Sequence, residues 1–304
     1  MQRSAPGWLG NFIEEVAPKL HTGKVSTYLP ELAAAGSGDF GVALYLGEDN
    51  HFSYGSEHKF TIQSVIKVIT LLIAIGEHGL ATTVSRVGCD RSFGAYNDIS
   101  NYDQVRARTA NPFVNAGALV TLDMLSASGS EGLVDKVLAC ARNLTGNPNL
   151  QVSMSVARSE YDLSLRNRLI LDHLASHRAI SHTVDDLLWA YCQICSIEVD
   201  VVDLAHLAFV LSRDAGIDSD VLEVASEDIG AVRRLLLAVG MYEASSEYAF
   251  RVGVPSKGGV SGSMIGVLPG MGGVGIYGPA LDHMGNSVGG IEMMKLLAQH
   301  FKVI

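Results

Sequence analysis

Gln63-Ser64-Val65-Ile66-Lys67 stands between a short strand-like run and the apolar sequence Val68-Ile69-Thr70-Leu71-Leu72-Ile73-Ala74-Ile75. The spacing Ser-x-x-Lys sets Ser64 and Lys67 about one helical turn apart on a shared face. A serine in the first turn of a helix lies among free backbone N–H groups, at the positive end of the helix dipole. Its hydroxyl needs a base before it attacks a carbonyl. A lysine one turn on serves as that base when burial and the positive helix end depress its pKa. The apolar run predicts a buried helix that keeps Lys67 out of bulk water. Ser-x-x-Lys is common by chance, and its bland alternative is a surface lysine beside a capping serine. The apolar flanks and the place at a helix start favour chemistry.

Upstream, Trp8 to Leu20 reads as an amphipathic helix, and Gly23-Lys24-Val25-Ser26-Thr27-Tyr28-Leu29-Pro30 as a loop that its proline keeps extended. Phe40–Leu46 and His51–Tyr54 read as two strands, joined by the hairpin turn Gly47-Glu48-Asp49-Asn50. Downstream, helical periodicity holds to about Tyr248, over Ala116–Ser126, Gly132–Thr145, Val152–Asn167, Asn167–Arg178, Val184–Ile197, Val201–Ser212 and Glu227–Met241. The period then changes: Ser261–Leu268 and Val274–Tyr277 read as strands and Val288 to Lys302 as a terminal helix. Strands at both ends of a helical middle predict an α+β fold. One antiparallel sheet is built from the two chain ends and flanked by helices, beside a mostly helical lobe. The expected organisation is a single domain, 1–304, with an α/β lobe from about 1–63 and 250–304 and a helical lobe over about 64–249.

Hydrophobic content of 48% against 18% charged residues describes a chain that folds around a sizeable core. A formal net charge of −10 argues against a general binder of nucleic acid or anionic membrane. The N-terminus lacks the basic head and apolar core of an export signal, and nothing approaches the ~20 apolar residues of a membrane span. A cytoplasmic location is expected. The cysteines Cys89, Cys140, Cys192 and Cys195 are too sparse for a disulfide framework. Cys192 and Cys195 fall inside a helix-like run, which favours buried thiols over a redox pair. Gly270-Met271-Gly272-Gly273-Val274-Gly275 spells G-x-G-x-x-G but leads into a strand, so it reads as a flexible hairpin turn and not as a nucleotide site. His173 and His177 have zinc-ligand spacing with His182 nearby, yet Leu174 stands where H-E-x-x-H has its glutamate; no metal is expected.

Other stretches are hard to explain as packing. Asn111-Pro112-Phe113-Val114-Asn115-Ala116-Gly117-Ala118 places a carboxamide at a helix start among small residues that allow close packing. Glu160 and Asn167, seven residues apart, would share one face of a continuous helix, the alternative being Glu160 paired with a neighbouring arginine. Gly240-Met241-Tyr242 sets a phenol near a turn, and Lys257-Gly258-Gly259-Val260 begins a strand whose N–H groups would face the nucleophile.

Together these motifs resemble the serine-dependent glutaminase family, which shares the β-lactamase-like fold. The resemblance extends through Phe60-Thr61-Ile62-Gln63-Ser64, Ser159-Glu160, Arg166-Asn167-Arg168, Tyr191-x-x-x-Cys195-Ser196, Arg251-Val252-Gly253-Val254-Pro255 and Pro279-x-Leu281-Asp282-x-x-Gly285-Asn286-Ser287. It implies hydrolysis of L-glutamine to L-glutamate and ammonia through a glutamyl-serine intermediate, with no metal or cofactor. Ser64 is then the nucleophile and Lys67 its base. Tyr28 and Tyr242 assist proton transfer, Tyr242 being the donor to the departing ammonia. The backbone N–H groups of Ser64 and Val260 form the oxyanion hole. Asn115, Glu160, Asn167 and Tyr191 hold the substrate's α-amino and α-carboxylate groups, as a buried carboxylate suits an ammonium and carboxamides suit a carboxylate. A homo-oligomer, dimer or tetramer, is implied as well, and the apolar Val201–Leu211 run is compatible with its interface.

The chain departs from the family pattern in places. Ile66 stands where a serine is usual before the lysine, and Asp90-Arg91-Ser92-Phe93 replaces Glu-Pro-Ser-Gly. Lys257-Gly258-Gly259-Val260-Ser261-Gly262-Ser263 replaces Lys-Ser-Gly-Val-Gly-Gly-Gly. The hydroxyl missing at Gly258 would have been a partner for Lys257 or Lys67, which implies weaker turnover or altered preference. The alternatives are an acyl-serine hydrolase of another amide or ester, and a weakly active or non-catalytic glutamate-binding relative.

Overall fold

The computed structural model describes residues 6–47, 50–92 and 94–303. The main sheet has strands β1 (Gly41–Tyr45), β2 (His51–Tyr54), β3 (Ser256–Gly258), β4 (Ser263–Leu268) and β5 (Gly272–Tyr277). They lie in the order β3-β4-β5-β1-β2, each antiparallel to its neighbour, with Gly275 opposite Ala43 and Lys257 opposite Ile265. The two chain ends therefore meet at the β5–β1 ladder, giving the α+β architecture read from the sequence. The β1–β2 turn is closed by Asn50 N–H donating to Gly47 O; Glu48 and Asp49 lie outside the described residues.

Alternation along each strand serves two faces. Val42, Leu44, Met264, Leu268, Val274 and Ile276 face the terminal helices Gly7–Val16 and Val288–His300, burying Leu9, Val16, Met293 and Leu297. Ala43, Ile265, Val267 and Tyr277 face the other way, into a cluster with Leu204, Ala205 and Ala208 of the Val201–Ser212 helix. That helix lies so close that a Cβ on Gly273 would come within 2.1 Å of Phe209 N, and one on Gly275 within 2.1 Å of Val201 O. The glycines of Gly270–Gly275 thus make two structures: a short turn, and a strand on which a helix can lie. Much of its apolar face is spent inside the chain, against the sheet and the helical core.

Beyond this helix the Ile66–His78 helix runs through the core, with Ile66 through Ile75 all buried. Asn115–Asp123, Gly129–Thr145, Leu165–Ser176 and Val184–Cys195 contribute to the same core. The expected Val152–Asn167 helix is broken: Met154–Leu163 stops at Ser164, and Leu165–Ser176 starts anew. Glu160 and Asn167 therefore sit on two helices, not on one face of a single one. The strand-like run before Ser64, Phe60–Thr61, pairs with Glu198–Val199 and not with the main sheet. Among the described residues no helix is long and apolar enough to cross a membrane.

Candidate active site

Ser64 occupies a 3₁₀ turn, Gln63–Val65, just ahead of the Ile66–His78 helix, one step earlier than the expected first helical turn. Gln63 has φ 48°, a left-handed conformation that a non-glycine residue adopts at a cost and holds only where its surroundings fix it. The fixing contacts are visible. Ile62 N–H donates to Ile197 O, Ser261 Oγ to Thr61 O at 2.7 Å and Ser263 Oγ to Ile62 O at 3.0 Å. The serines that replace the family's glycines at 261 and 263 thus tie the nucleophile's turn to the sheet.

Lys67 is 1% exposed. Its Nζ donates to Phe113 O at 2.9 Å and to Asn115 Oδ1 at 2.7 Å. Burial pulls its pKa down to about 8, against the opposing pull of Cys195 and Glu160. A neutral amine whose two N–H bonds are spent on those two acceptors keeps its lone pair for a third group. Asn115 Nδ2 in turn donates to Asn167 Oδ1 at 2.8 Å, so the amine and two carboxamides form one polarised chain.

Ser64 opens onto a cleft of about 400 Å³ whose walls include Tyr28, Asn115, Glu160, Asn167, Tyr191 and Val260. Glu160 is buried, and its hydrogen-bond donor is Gln63 Nε2 at 3.2 Å, not an arginine; Arg168 pairs with Asp185 instead. Burial raises the Glu160 pKa to about 7, with Gln63 and Lys67 moderating the rise. Tyr191 is buried beside Cys195, and burial pushes its phenol far up. Tyr28 is half-exposed, and its hydroxyl lies 3.3 Å from Ser164 Oγ, at the end of the cleft where the two helices part.

Tyr242 closes the opposite side. It too has positive φ, 54°, and its hydroxyl donates to Gly258 O at 3.1 Å; the Ser64 side chain lies near enough to moderate its pKa. Burial and the nearby Tyr96 phenol raise its pKa, so it stays protonated. Lys257, fully buried, sets its Nζ 4.0 Å from the centre of the Tyr242 ring and donates to Gly258 O at 2.5 Å. Its pKa is driven far down by burial, then by the charge of Lys67. Beside this pair, Asn286 is fully buried with neither carboxamide atom partnered among the described residues. A Cβ at Gly258 would stand 3.3 Å from Asn286 Oδ1, so the missing hydroxyl leaves that amide unanswered. The Val260 N–H, in the turn after β3, has no partner among the described residues.

The structure therefore gathers Ser64, Asn115, Glu160, Asn167, Tyr191, Tyr28 and Val260 around one cleft, with Lys67 behind Ser64 and Tyr242 beside it. Sequence reasoning gave no role to Gln63, Lys257 or Tyr96. Only Lys257 had a readable signal, as a lysine opening a strand. His182, Cys192 and Cys195 find structural surroundings. His182 sits between Asp123 Oδ1 and Ala127 O, each at 3.0 Å, and no group of three or more His, Cys, Asp or Glu is arranged for a metal among the described residues. Cys192 and Cys195 are buried free thiols whose pKa values burial raises, which leaves them unreactive.

The sequence profile of the Glutaminase family matches residues 23–304. A glutaminase of Clostridium tetani (strain Massachusetts / E88) is 34% identical over 296 residues, 96% of this chain and 97% of that protein. One from Bacillus cytotoxicus is 34% identical over 293 residues, 95% of each chain. Among solved structures, Mglu in its glutamate form superposes with TM-score 0.90 at 28% identity, over all of this chain and 69% of its own. A Bacillus subtilis protein described as a probable glutaminase, complexed with 6-diazo-5-oxo-L-norleucine, gives 0.86 at 27% identity, covering 97% of this chain and 95% of its own. The site assembled above and these likenesses along nearly the whole chain have one reading: this chain belongs to the glutaminase family.

Proposed function

We propose that this chain hydrolyses L-glutamine to L-glutamate and ammonia through a glutamyl ester on Ser64, and that residues 1–304 work as a single glutaminase domain. The observation that carries the reading is the buried Lys67 amine, held by Phe113 O and Asn115 Oδ1 behind Ser64 with its pKa lowered to about 8. Neutral Lys67 takes the Ser64 proton as Oγ attacks the γ-carbonyl carbon. The oxygen's developing charge is received by the N–H groups of Ser64 and Val260, donors already oriented before reaction. Tyr242, protonated and close to Ser64, supplies the proton that lets ammonia leave, and Lys257 over its ring keeps the phenol in place. Lys67 then passes the Ser64 proton to the Tyr242 phenolate, and water cleaves the ester with the again neutral Lys67 as base.

Glu160 receives the α-ammonium; Asn115, Asn167 and Tyr191 receive the α-carboxylate, while Tyr28 walls the cleft and orients the bound amide. Amide hydrolysis by this route calls on no metal or cofactor. A cytoplasmic homo-oligomer, dimer or tetramer, with no nucleic-acid or membrane partner, completes the reading. 6-Diazo-5-oxo-L-norleucine, the ligand of the Bacillus subtilis relative, is a glutamine-shaped electrophile suited to the test. Incubation with it is expected to add its mass to the Ser64 peptide, and incubation with L-glutamine to release ammonia. Ammonia no faster than from Ser64→Ala, or a label on another side chain, would overturn the mechanism.

A further inference from the structure

Building on the glutamine-hydrolase reading, we propose that the same site cleaves γ-glutamyl amino acids, and that the departing amino acid occupies a second cleft joined to the first at its amide end. The second cleft measures about 830 Å³ and shares Ser26, Tyr96 and Val260 with the first. Those shared residues lie at the reacting end: Val260 supplies the oxyanion N–H, and the Tyr96 ring packs 4.6 Å from that of Tyr242, the proposed donor to the leaving nitrogen. The residue after Tyr242, Glu243, also lines the second cleft, and its charge adds to burial in raising the Tyr96 pKa. Tyr96 lines both clefts and packs on Tyr242, so a leaving group protonated by Tyr242 passes Tyr96 into this cleft. Ammonia needs room for roughly one water, about 30 Å³. The space is far larger than that.

The cleft's charges suit an amino acid. Glu243 stands next to the point where the amine is released. Lys24 lines the second cleft and not the first, and among the described residues neither of the two makes an ion pair. Val25, Leu281 and Met284 supply apolar wall between them. A free amino acid carries an ammonium, a carboxylate and, for leucine or methionine, an apolar side chain. In the reaction Ser64 Oγ bonds to the γ-carbonyl carbon. The C–N bond breaks with its electron pair on nitrogen, which takes a proton from Tyr242 and leaves as the amine of the amino acid. The Ser64 proton, taken up by Lys67, passes to the Tyr242 phenolate; water then cleaves the glutamyl ester to L-glutamate, restoring the Ser64 hydroxyl.

The test is release of leucine from γ-L-glutamyl-L-leucine, run beside L-glutamine on the wild-type protein and on Lys24→Glu. Leucine release is expected. In Lys24→Glu its kcat/KM is expected to fall at least about fivefold, as a surface charge contact becomes a repulsion, with kcat/KM for glutamine unchanged. Met284→Trp, which narrows the same cleft from a different wall, is expected to show the same selective loss. Glutamine hydrolysed with no leucine released, or both substrates losing equally in both variants, would overturn the second site and leave the glutaminase reading intact. Neither substrate hydrolysed would sink both. Leucine released without glutamine turnover would keep the second cleft and narrow the first reading.

Discussion

In the proposed mechanism, two buried groups of opposite kind set the acid limit of activity. Lys67 acts as base only when neutral, and its pKa is lowered to about 8; Glu160 holds an ammonium only when ionised, and its pKa is raised to about 7. Both useful forms lose ground as pH falls, so kcat/KM for glutamine is expected to drop through about 8 and more steeply below about 7. Glu160→Gln removes the lower step and keeps the upper. It is expected to raise KM by roughly 30-fold, the worth of one charge-assisted contact of about 2 kcal/mol. A pH–rate profile of the two proteins checks this; an unchanged limb in the variant would separate Glu160 from substrate binding. Gly258 poses a second question at the same scale. An unanswered buried amide costs about 1–3 kcal/mol, and a hydroxyl at 258 would reach Asn286 Oδ1 from a Cβ only 3.3 Å away. Asn286 needs to yield a few tenths of an ångström. Gly258→Ser is expected to stabilise the fold by about 1 kcal/mol with no loss of turnover, read as a raised Tm; a lowered Tm would mean that crowding outweighs the new bond.

Elements here are placed by what their backbones permit. The Val201–Ser212 helix rests on β5 only because Gly273 and Gly275 present no Cβ to it. Gly273→Ala is expected to cost about 3 kcal/mol, because Phe209 N and Ala205 O, at 2.1 and 2.2 Å from the new carbon, are backbone atoms that cannot rotate away. Thermal or urea unfolding measures it, and a loss under 0.5 kcal/mol, the ordinary range of a surface change, would show that helix and strand slide apart freely. The sequence disclosed this pairing only by half. Period 2 and period 3.6 stood clear in the long apolar elements, so β4, β5 and the Val201–Ser212 helix were readable within a residue or two. The break at Ser164 was not. Its flanks keep helical composition, and only tertiary placement of Tyr28 and Cys192 around the Ser164 hydroxyl marks the change of direction. The left-handed Gln63 and Tyr242 were equally hidden, since their conformations are imposed by contacts far away in sequence. Site residues came through where a motif carried them. Gln63 as the partner of Glu160 and Tyr96 beside Tyr242 belong to a loop and a turn whose spacing says nothing about their neighbours.

At the scale of the molecule, the cleft is a junction. Tyr28 and Val260 come from segments that flank the sheet near the two chain ends, Asn115, Glu160, Asn167 and Tyr191 from the helical middle, and Ser64 from the turn tied to both by Ile197, Ser261 and Ser263. The sheet lies between two apolar clusters, one shared with the helical middle and one with the terminal helices. On the proposed binding mode, a ligand gripped by Glu160 and Asn167 at one end and by the Ser64–Val260 turn at the other clamps segments that must separate on unfolding. L-Glutamate at 100 times its Kd is therefore expected to stabilise the whole chain by about 2.7 kcal/mol, moving one cooperative transition upward by a few degrees. On the same binding mode Asn167→Ala loses a contact to the α-carboxylate and is expected to lose the shift; because the change also leaves Asn115 Nδ2 without its acceptor, the unliganded Tm is expected to fall as well. Calorimetry with and without glutamate decides it. Two separate transitions, of which glutamate moves one, would mean that the helical middle binds the ligand and unfolds on its own, so that the sheet is its neighbour and not its partner.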